Sequence, residues 1–176
     1  MHFCRIYNDT GIAVYNNGVY SFDASDNWWG SNSDPSRYTS GNVISSPWLV
    51  LGVMASPSTI NPTQTSTISA NLTDNSARNT LFGTYVPDNI PVSFSSTGGT
   101  VNPSKGSTQN GVSKTTFTPS STGTASVTAS VDGQSMTAPV TVISGGLPEF
   151  PSPVIPAILI IGLLGTVLFI RRIREY

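Results

Sequence analysis

The sequence predicts an all-β chain that ends in one hydrophobic, membrane-spanning helix. Three observations lead to this prediction. Residues 57–143 alternate apolar with polar residues between strong turn formers, only 10% of all residues are charged, and an uncharged apolar run at 154–170 is followed at once by arginines. Alternation with a period of two is typical of half-buried strands, and such an apolar run is typical of a transmembrane segment.

Composition limits the class of protein. The 176 residues are enough for one ordinary domain or two small ones. The formal net charge of −1 combines a mildly acidic main part with a basic C-terminal end, a balance that argues against a nucleic-acid-binding protein. Because Cys4 is the only cysteine, no intrachain disulfide can form, and stability must come from burial and hydrogen bonds.

Residues 1–52 hold all three tryptophans and consist of very short apolar runs divided by Asn-rich corners. This segment resembles the last coil and cap of a right-handed parallel β-helix, where an Asn-Trp-Trp-Gly motif precedes a Pro-Trp-Leu stretch. The resemblance implies that the cap consists of Asn27, Trp28, Trp29, Gly30 and Trp48. Since a coil buries its apolar face only against neighbouring coils, we expect that further coils preceded Met1, where no secretory signal begins the chain.

Four runs within residues 57–143 show the period-two alternation: Thr67–Leu72, Val92–Phe94, Ala125–Val131 and Met136–Val142. Asp132-Gly133 joins the last two and predicts a tight hairpin with positive φ at both residues. Between Val112 and Phe117 the apolar parity changes, so a bulge is expected there. Several short strands at this spacing predict a two-sheet sandwich.

The order of these runs is similar to bacterial immunoglobulin-like domains of the invasin and intimin type. The resemblance is carried by Ile90-Pro91-Val92-Ser93-Phe94, Gly98-Gly99-Thr100-Val101, Gly111-Val112 leading to Phe117, and Gly123 to Ala129. It implies a spacer or adhesive arm over residues 53–143, with loops that determine the partner. A receptor-binding adhesin whose loops, especially 75–89, contact another protein is an alternative function. The fold class is therefore all-β: an immunoglobulin-like β-sandwich after a terminal parallel β-helix coil, plus one C-terminal transmembrane helix.

The predicted transmembrane helix comprises residues 154–170, of which twelve are Val, Ile, Leu or Phe. At about 1.5 Å per residue it would be roughly 26 Å long, slightly less than a hydrocarbon core of about 30 Å. Arg171, Arg172 and Arg174 follow as a stop-transfer signal, which places the tail 171–176 in the cytoplasm and the rest outside. A buried core helix is the alternative, but it would show a polar stripe, and none is present.

A Gly/Pro linker at residues 144–153 precedes this helix. Its Pro148-Glu149-Phe150-Pro151 segment, the helix and the basic end resemble, in this order, the archaeal PEF-CTERM sorting signal. The resemblance implies an archaeal envelope protein, an archaeosortase-type processing protease that removes the helix, and attachment to membrane lipid. The alternative is a permanent single-span anchor behind a proline-rich spacer.

Candidate chemistry is sparse. Asp23, Asp26 and Asp34 could supply paired carboxylates or hold Ca²⁺, but they lie among Asn and Ser, where Asp usually forms turns, and no EF-hand spacing occurs. His2 is the only histidine, which leaves no Ser–His pair and no His/Cys metal site. We therefore expect no catalytic residues, no metal and no cofactor. Two sequons offer glycosylation candidates at Asn8 and Asn71.

The sequence thus predicts a structural or adhesive cell-surface glycoprotein rather than an enzyme. Its expected partners are membrane lipid, the processing protease, and a surface protein or glycan as ligand, with no nucleic acid. The expected location is the cell membrane or envelope, with the C-terminus cytoplasmic before processing. The alternative is the C-terminal fragment of a β-helix polysaccharide lyase or hydrolase displayed on the cell surface.

Overall fold

Short strands dominate the part of the chain that the computed structural model describes, residues 1–7 and 10–144. One 3-10 helix, Pro35–Tyr38, begins after Asp34, whose side chain accepts a hydrogen bond from the Ser36 N–H and so caps it. The strands are β1 Val14–Asn16, β2 Phe22–Asp23, β3 Thr39–Gly41, β4 Val43–Ile44, β5 Leu49–Ser56, β6 Thr59–Ile60, β7 Ser66–Asn75, β8 Pro91–Thr97, β9 Gly99–Asn102, β10 Lys105–Ser107, β11 Val112–Pro119, β12 Gly123–Val131 and β13 Gln134–Val142.

Strands β5 to β13 form two sheets. One sheet has the order β5-β7-β11-β9, and the other has the order β10-β8-β12-β13-β6. Apart from the parallel pair of β13 with β6, neighbouring strands are antiparallel. The first order, together with β8-β12-β13 in the second, is the strand order of an immunoglobulin-like sandwich. The prediction of such a sandwich is confirmed.

A single hydrophobic core fills the space between the two sheets. Along β7, every second residue from Ser66 to Leu72 is buried, and the residues between them lie on the outer face. Strands β12 and β13 show the same alternation, because successive side chains of a strand point to opposite faces. The core includes the fully buried Phe117 and extends to Trp28 of the N-terminal segment.

Strand β11 differs from the prediction. It pairs with β7 without interruption from Val112–Asn71 to Phe117–Ser66, so the bulge expected between Val112 and Phe117 is wrong. The inward positions before Phe117 are polar: Ser113 and Thr115 are buried. The Thr115 hydroxyl donates to the Pro103 carbonyl over 2.7 Å, so burial at that position costs little.

The hairpin between β12 and β13 is as predicted. Asp132 has a φ of 53° and Gly133 a φ of 84°. Both values lie in the left-handed region, which Gly adopts freely and Asp tolerates better than most residues. The turn joins strands that pair over their full length, from Gly123–Val142 to Val131–Gln134.

Residues 1–48 pair in a different way. Strand β1 pairs in parallel with β3 and β2 with β4, and an isolated parallel bridge joins Arg5 to Trp28. The partners Val14–Thr39, Phe22–Val43 and Arg5–Trp28 are 25, 21 and 23 residues apart. The chain therefore returns past itself about once every 21–25 residues before it enters the sandwich.

The two predicted parts before residue 144 belong to one compact unit, Met1–Ser144. Strand β5 of the sandwich begins at Leu49, which lies before the predicted domain boundary between residues 52 and 53. No helix in residues 1–7 and 10–144 is long and apolar enough to cross a membrane. The predicted helix 154–170, the sorting motif Pro148 to Pro151, and the stop-transfer residues Arg171, Arg172 and Arg174 lie outside the described residues.

Candidate functional site

The residues expected to form a cap lie where the parallel segment meets the sandwich. Asn27 is fully buried, and its side chain joins the backbone of residues 1–4 to that of residues 24–27. Its amide donates to the Met1 and Ala24 carbonyls over 2.8 and 2.7 Å, and its Oδ1 accepts from the Cys4 N–H over 2.8 Å. A buried amide with donors and acceptors paired in this way fixes the surrounding backbone in one arrangement.

Trp28 connects the parallel segment to the hairpin between β12 and β13 of the sandwich. Its ring is fully buried, and its indole N–H donates to Asp132 Oδ2 over 2.8 Å. Arg5 holds the same carboxylate with both Nε, at 2.9 Å, and Nη2. The hydrogen bond to Asp132 is the main cause that raises the pKa of the Arg5 guanidinium. The side chain of Asp132 is only 4% exposed, and the ion pair with Arg5 compensates its negative charge.

Two asparagines strengthen the same junction. Asn32 pairs with Leu51 of β5 in both directions: its amide donates to the Leu51 carbonyl over 3.0 Å and its Oδ1 accepts from the Leu51 N–H over 2.6 Å. Asn75, at the end of β7, donates to Asp26 Oδ1 over 2.9 Å. Together with the contacts of Trp28 and Arg5, these hydrogen bonds join the parallel segment to β5, to β7 and to the turn between β12 and β13.

The other predicted cap residues occupy the same region. Trp29 is buried, and Trp48 donates its indole N–H to the Asn32 carbonyl over 3.1 Å. Gly30 has a φ of +75°, and a Cβ there would lie 2.7 Å from Cδ2 of Tyr7. The glycine is therefore needed both for its backbone conformation and for the close approach of the Tyr7 ring.

Replacing Asp132 with Ala should lower the free energy of unfolding by about 1–3 kcal/mol, because the buried Trp28 N–H loses its acceptor. Asp132→Asn is the control: it tolerates the positive φ and keeps an acceptor oxygen, so its loss should be smaller. Urea unfolding of the full chain measures both variants. An Ala variant as stable as the parent chain would contradict this account of the junction.

Asp132, Arg5, Asn32 and Asn75 were not among the predicted site residues. Asp132 lies 104 positions after Trp28. Its presence in an Asp-Gly hairpin is explained by turn geometry alone, so local sequence gives no reason to look for a second role. Asn32 and Asn75 stand among many other polar residues, and a single sequence offers no signal that distinguishes them.

The three candidate carboxylates have separate partners and do not form a pair. Asp23 accepts from the Ser25 N–H over 2.9 Å, and its hydrogen bonds with Ser25 are the main cause that lowers its pKa. Asp26 accepts from Asn75, and Asp34 caps the 3-10 helix. Among residues 1–7 and 10–144, no group of three or more His, Cys, Asp or Glu side chains is placed to hold a metal ion.

Asn71 lies in the centre of a sheet, where β7 pairs with β5 on one side and β11 on the other. It is on the outer face, as predicted, but it is half-buried. Its Oδ1 packs over Gly52, where a Cβ would lie 2.8 Å away, and has no hydrogen-bond partner in the described part of the chain. Glycosylation at Asn71 stays a prediction, and Asn8 lies outside the described residues.

The loop 75–89 presents one large apolar side chain to solvent. Phe82 is 84% exposed, whereas Val86 and Ile90 bury their side chains in the core and hold the base of the loop. The Leu81 N–H donates to the Thr73 carbonyl over 2.8 Å and fixes the loop next to β7. The exposed ring is therefore carried by an anchored loop.

Several solved structures resemble the chain. The D0-D1 domain of intimin is 21% identical, with a TM-score of 0.44 over 58% of this chain and 52% of its own. The D00-D0 domain of intimin is 18% identical, with a TM-score of 0.45 over 60% and 57%. The Yersinia pseudotuberculosis adhesin InvE is 29% identical, with a TM-score of 0.38 over 53% and 26%.

The chain thus matches little more than half the length of the intimin fragments and about a quarter of InvE. No protein-family model matches the chain, and no curated protein sequence matches it. With TM-scores below 0.5, the solved structures assign neither a family nor a ligand to this protein. The immunoglobulin-like fold rests on the strand order and the shared core.

Proposed function

We propose that this chain is a structural or adhesive component of a cell envelope. In this proposal residues 1–48 are the last part of a parallel β-helix, the sandwich is a rigid extension of it, and the C-terminal segment attaches the protein to a membrane. The observation that carries the proposal is the junction: Trp28 of the parallel segment belongs to the same hydrophobic core as the sandwich. A spacer that must transmit force or hold a fixed direction needs such a continuous core rather than a flexible linker.

The repeated parallel pairing supports the β-helix part of the proposal. Successive passes of the chain are separated by 21–25 residues and stack in the same direction. The edge of β1 that does not face β3 lies beside large exposed apolar side chains, with Tyr15 65% exposed and Phe22 also accessible. A further coil stacked in register would cover these side chains.

The adhesive part is supported by the loop 75–89. A phenylalanine that is almost fully exposed on an anchored loop is a typical contact residue for a protein partner, because aromatic side chains contribute much of the binding energy in interfaces. We propose that attachment depends on the apolar segment 154–170 and the arginines behind it, and that Pro148 to Pro151 direct processing by an archaeosortase-type protease.

Fractionation of the cells that produce the protein tests this role. We expect the chain in the membrane fraction, resistant to a carbonate wash and degraded by protease added to intact cells. A chain that is soluble in the cell interior would contradict the proposal. Mass spectrometry of the C-terminus tests the processing step: a mature protein that still ends at Tyr176 would exclude sorting but leave a permanent anchor.

A further inference from the structure

A cleft lies between the parallel segment and the β12–β13 hairpin. It has a volume of about 410 Å³, and its walls include Tyr7, Trp29, Ser31, Arg37, Tyr38 and Asp132. This volume lies within the range of roughly 300–1,000 Å³ that is typical of small-ligand sites. Trp29 was assigned to the cap, and none of the other five residues was among the predicted site residues.

Three aromatic rings line this cleft, and arginines orient two of them. The Arg5 guanidinium lies 5.1 Å from the centre of the Tyr7 ring, and the Arg37 guanidinium lies 4.4 Å from that of Tyr38. Tyr7 is 41% exposed, and its ring edge rests against Gly30, which has no side chain in the way. The Tyr7 ring is therefore accessible and held in place without any ligand, and such preorganisation favours binding.

The hydrogen-bonding groups of the cleft are mostly neutral. The Trp29 indole nitrogen is buried and has no partner among residues 1–7 and 10–144. A buried N–H without an acceptor is unfavourable, so a small shift of the cleft wall that brings a ligand hydroxyl to it would gain a hydrogen bond. Asp132 is occupied by Arg5 and Trp28, so in the described part of the chain the cleft presents no free carboxylate.

We propose that this cleft binds a neutral saccharide. The C–H face of a pyranose ring is apolar and packs on an aromatic ring, while its hydroxyls need nearby donors and acceptors, and the cleft supplies both kinds of group. The charge of Arg5 is compensated by Asp132, whereas Arg37 lines the cleft without a carboxylate partner in the described part of the chain, so sulfate serves below as the probe for an anion. Hydrolysis is not part of the proposal, because it needs a pair of free carboxylates on either side of the bond. The inference deepens the adhesive part of the proposed function and rests on it.

Titration of the purified full chain in a mild non-ionic detergent tests the cleft. The probes are cellotetraose, mannotetraose, galactotetraose and the tetramer of N-acetylglucosamine, with sodium sulfate as an anion probe. We expect at least one tetrasaccharide to change the tryptophan fluorescence and to bind, by calorimetry, with a Kd below roughly 1 mM. Tyr7→Ala and Tyr38→Ala should each weaken this binding about tenfold, since each removes a stacking ring.

Tyr20→Ala is the matched control, because Tyr20 is 89% exposed and does not line the cleft. It should bind as the parent chain does, and urea unfolding of every variant checks that the fold is kept. Trp29→Phe, which keeps a ring but lacks the N–H, should bind several-fold more weakly.

Three results would overturn the saccharide site: no tetrasaccharide bound at roughly 10 mM, binding unaffected by both tyrosine variants, or binding of sulfate alone. A protein found at the membrane that binds no saccharide would refute the cleft and leave the envelope role standing. A protein absent from the membrane would refute the envelope role whatever the cleft binds.

Discussion

Replacing Trp28 with Ala should lower the free energy of unfolding by about 3–5 kcal/mol, the cost typical of removing a large buried aromatic ring. The ring is fully buried and belongs to the core of the sandwich, although the residue itself lies in the parallel segment. Its backbone also takes part in the parallel bridge, accepting from the Ile6 N–H over 2.7 Å and donating to the Cys4 carbonyl over 2.9 Å. The loss should therefore affect both parts of the unit.

Urea unfolding of the full chain, followed by far-UV circular dichroism, measures this effect. We expect one cooperative transition in the parent chain and one at a lower urea concentration in the variant. Trp28→Phe is the control: it keeps most of the buried ring but loses the hydrogen bond to Asp132, so about 1–3 kcal/mol should be lost. Two separate transitions in the parent chain, with the later one unchanged in Trp28→Ala, would show that the sandwich does not depend on Trp28.

The regular strands could be predicted from sequence because their pattern is local. In β7, β12 and β13 the apolar residues recur at every second position, and the side of the sheet they face follows directly from strand geometry. The Asp132-Gly133 turn could be predicted for the same reason, since two adjacent residues determine it.

The prediction for β11 was wrong because it assumed that inward positions must be apolar. Ser113 and Thr115 are buried inward-facing residues on this strand. Thr115 is satisfied by the Pro103 carbonyl, and Ser113 lies beside Gly106, where a Cβ would be only 2.8 Å from the hydroxyl oxygen. Both partners come from the segment between β9 and β11, and nothing in residues 112–117 indicates their position.

The candidate site was predicted only in part for a related reason. The tryptophan motif indicated that Trp28 and Trp29 are buried at an end of the parallel segment, which a pair of large aromatic side chains favours. The carboxylate that binds Trp28 comes from a distant hairpin whose sequence is fully explained by its turn. The cleft likewise combines Tyr7, Tyr38 and Asp132, which only the tertiary fold brings together.

Replacing Phe117 with Ala should be as costly as the change at Trp28, about 3–5 kcal/mol, because it leaves a cavity at the centre of the sandwich. Phe117 is fully buried on β11, between β7 and β9. Gly99 of β9 lies against it: a Cβ at that position would be 2.6 Å from the ring atoms Cε2 and Cζ, and 2.3 Å from the Thr118 carbonyl oxygen. Strand β9 is held in this position by its backbone pairing with β11, so it cannot easily move to fill the cavity.

Phe82→Ala is the matched control for this change, since it removes the same side chain from an 84% exposed position on the loop 75–89. Its free energy of unfolding should stay within about 0.5 kcal/mol of the parent value. The contrast between the two variants separates core packing from partner binding: Phe117→Ala should shift the urea midpoint, whereas Phe82→Ala should change only the contact with a partner. A large loss of stability in Phe82→Ala would mean that the loop packs its ring in solution, and the adhesive role proposed for that ring would lose its basis.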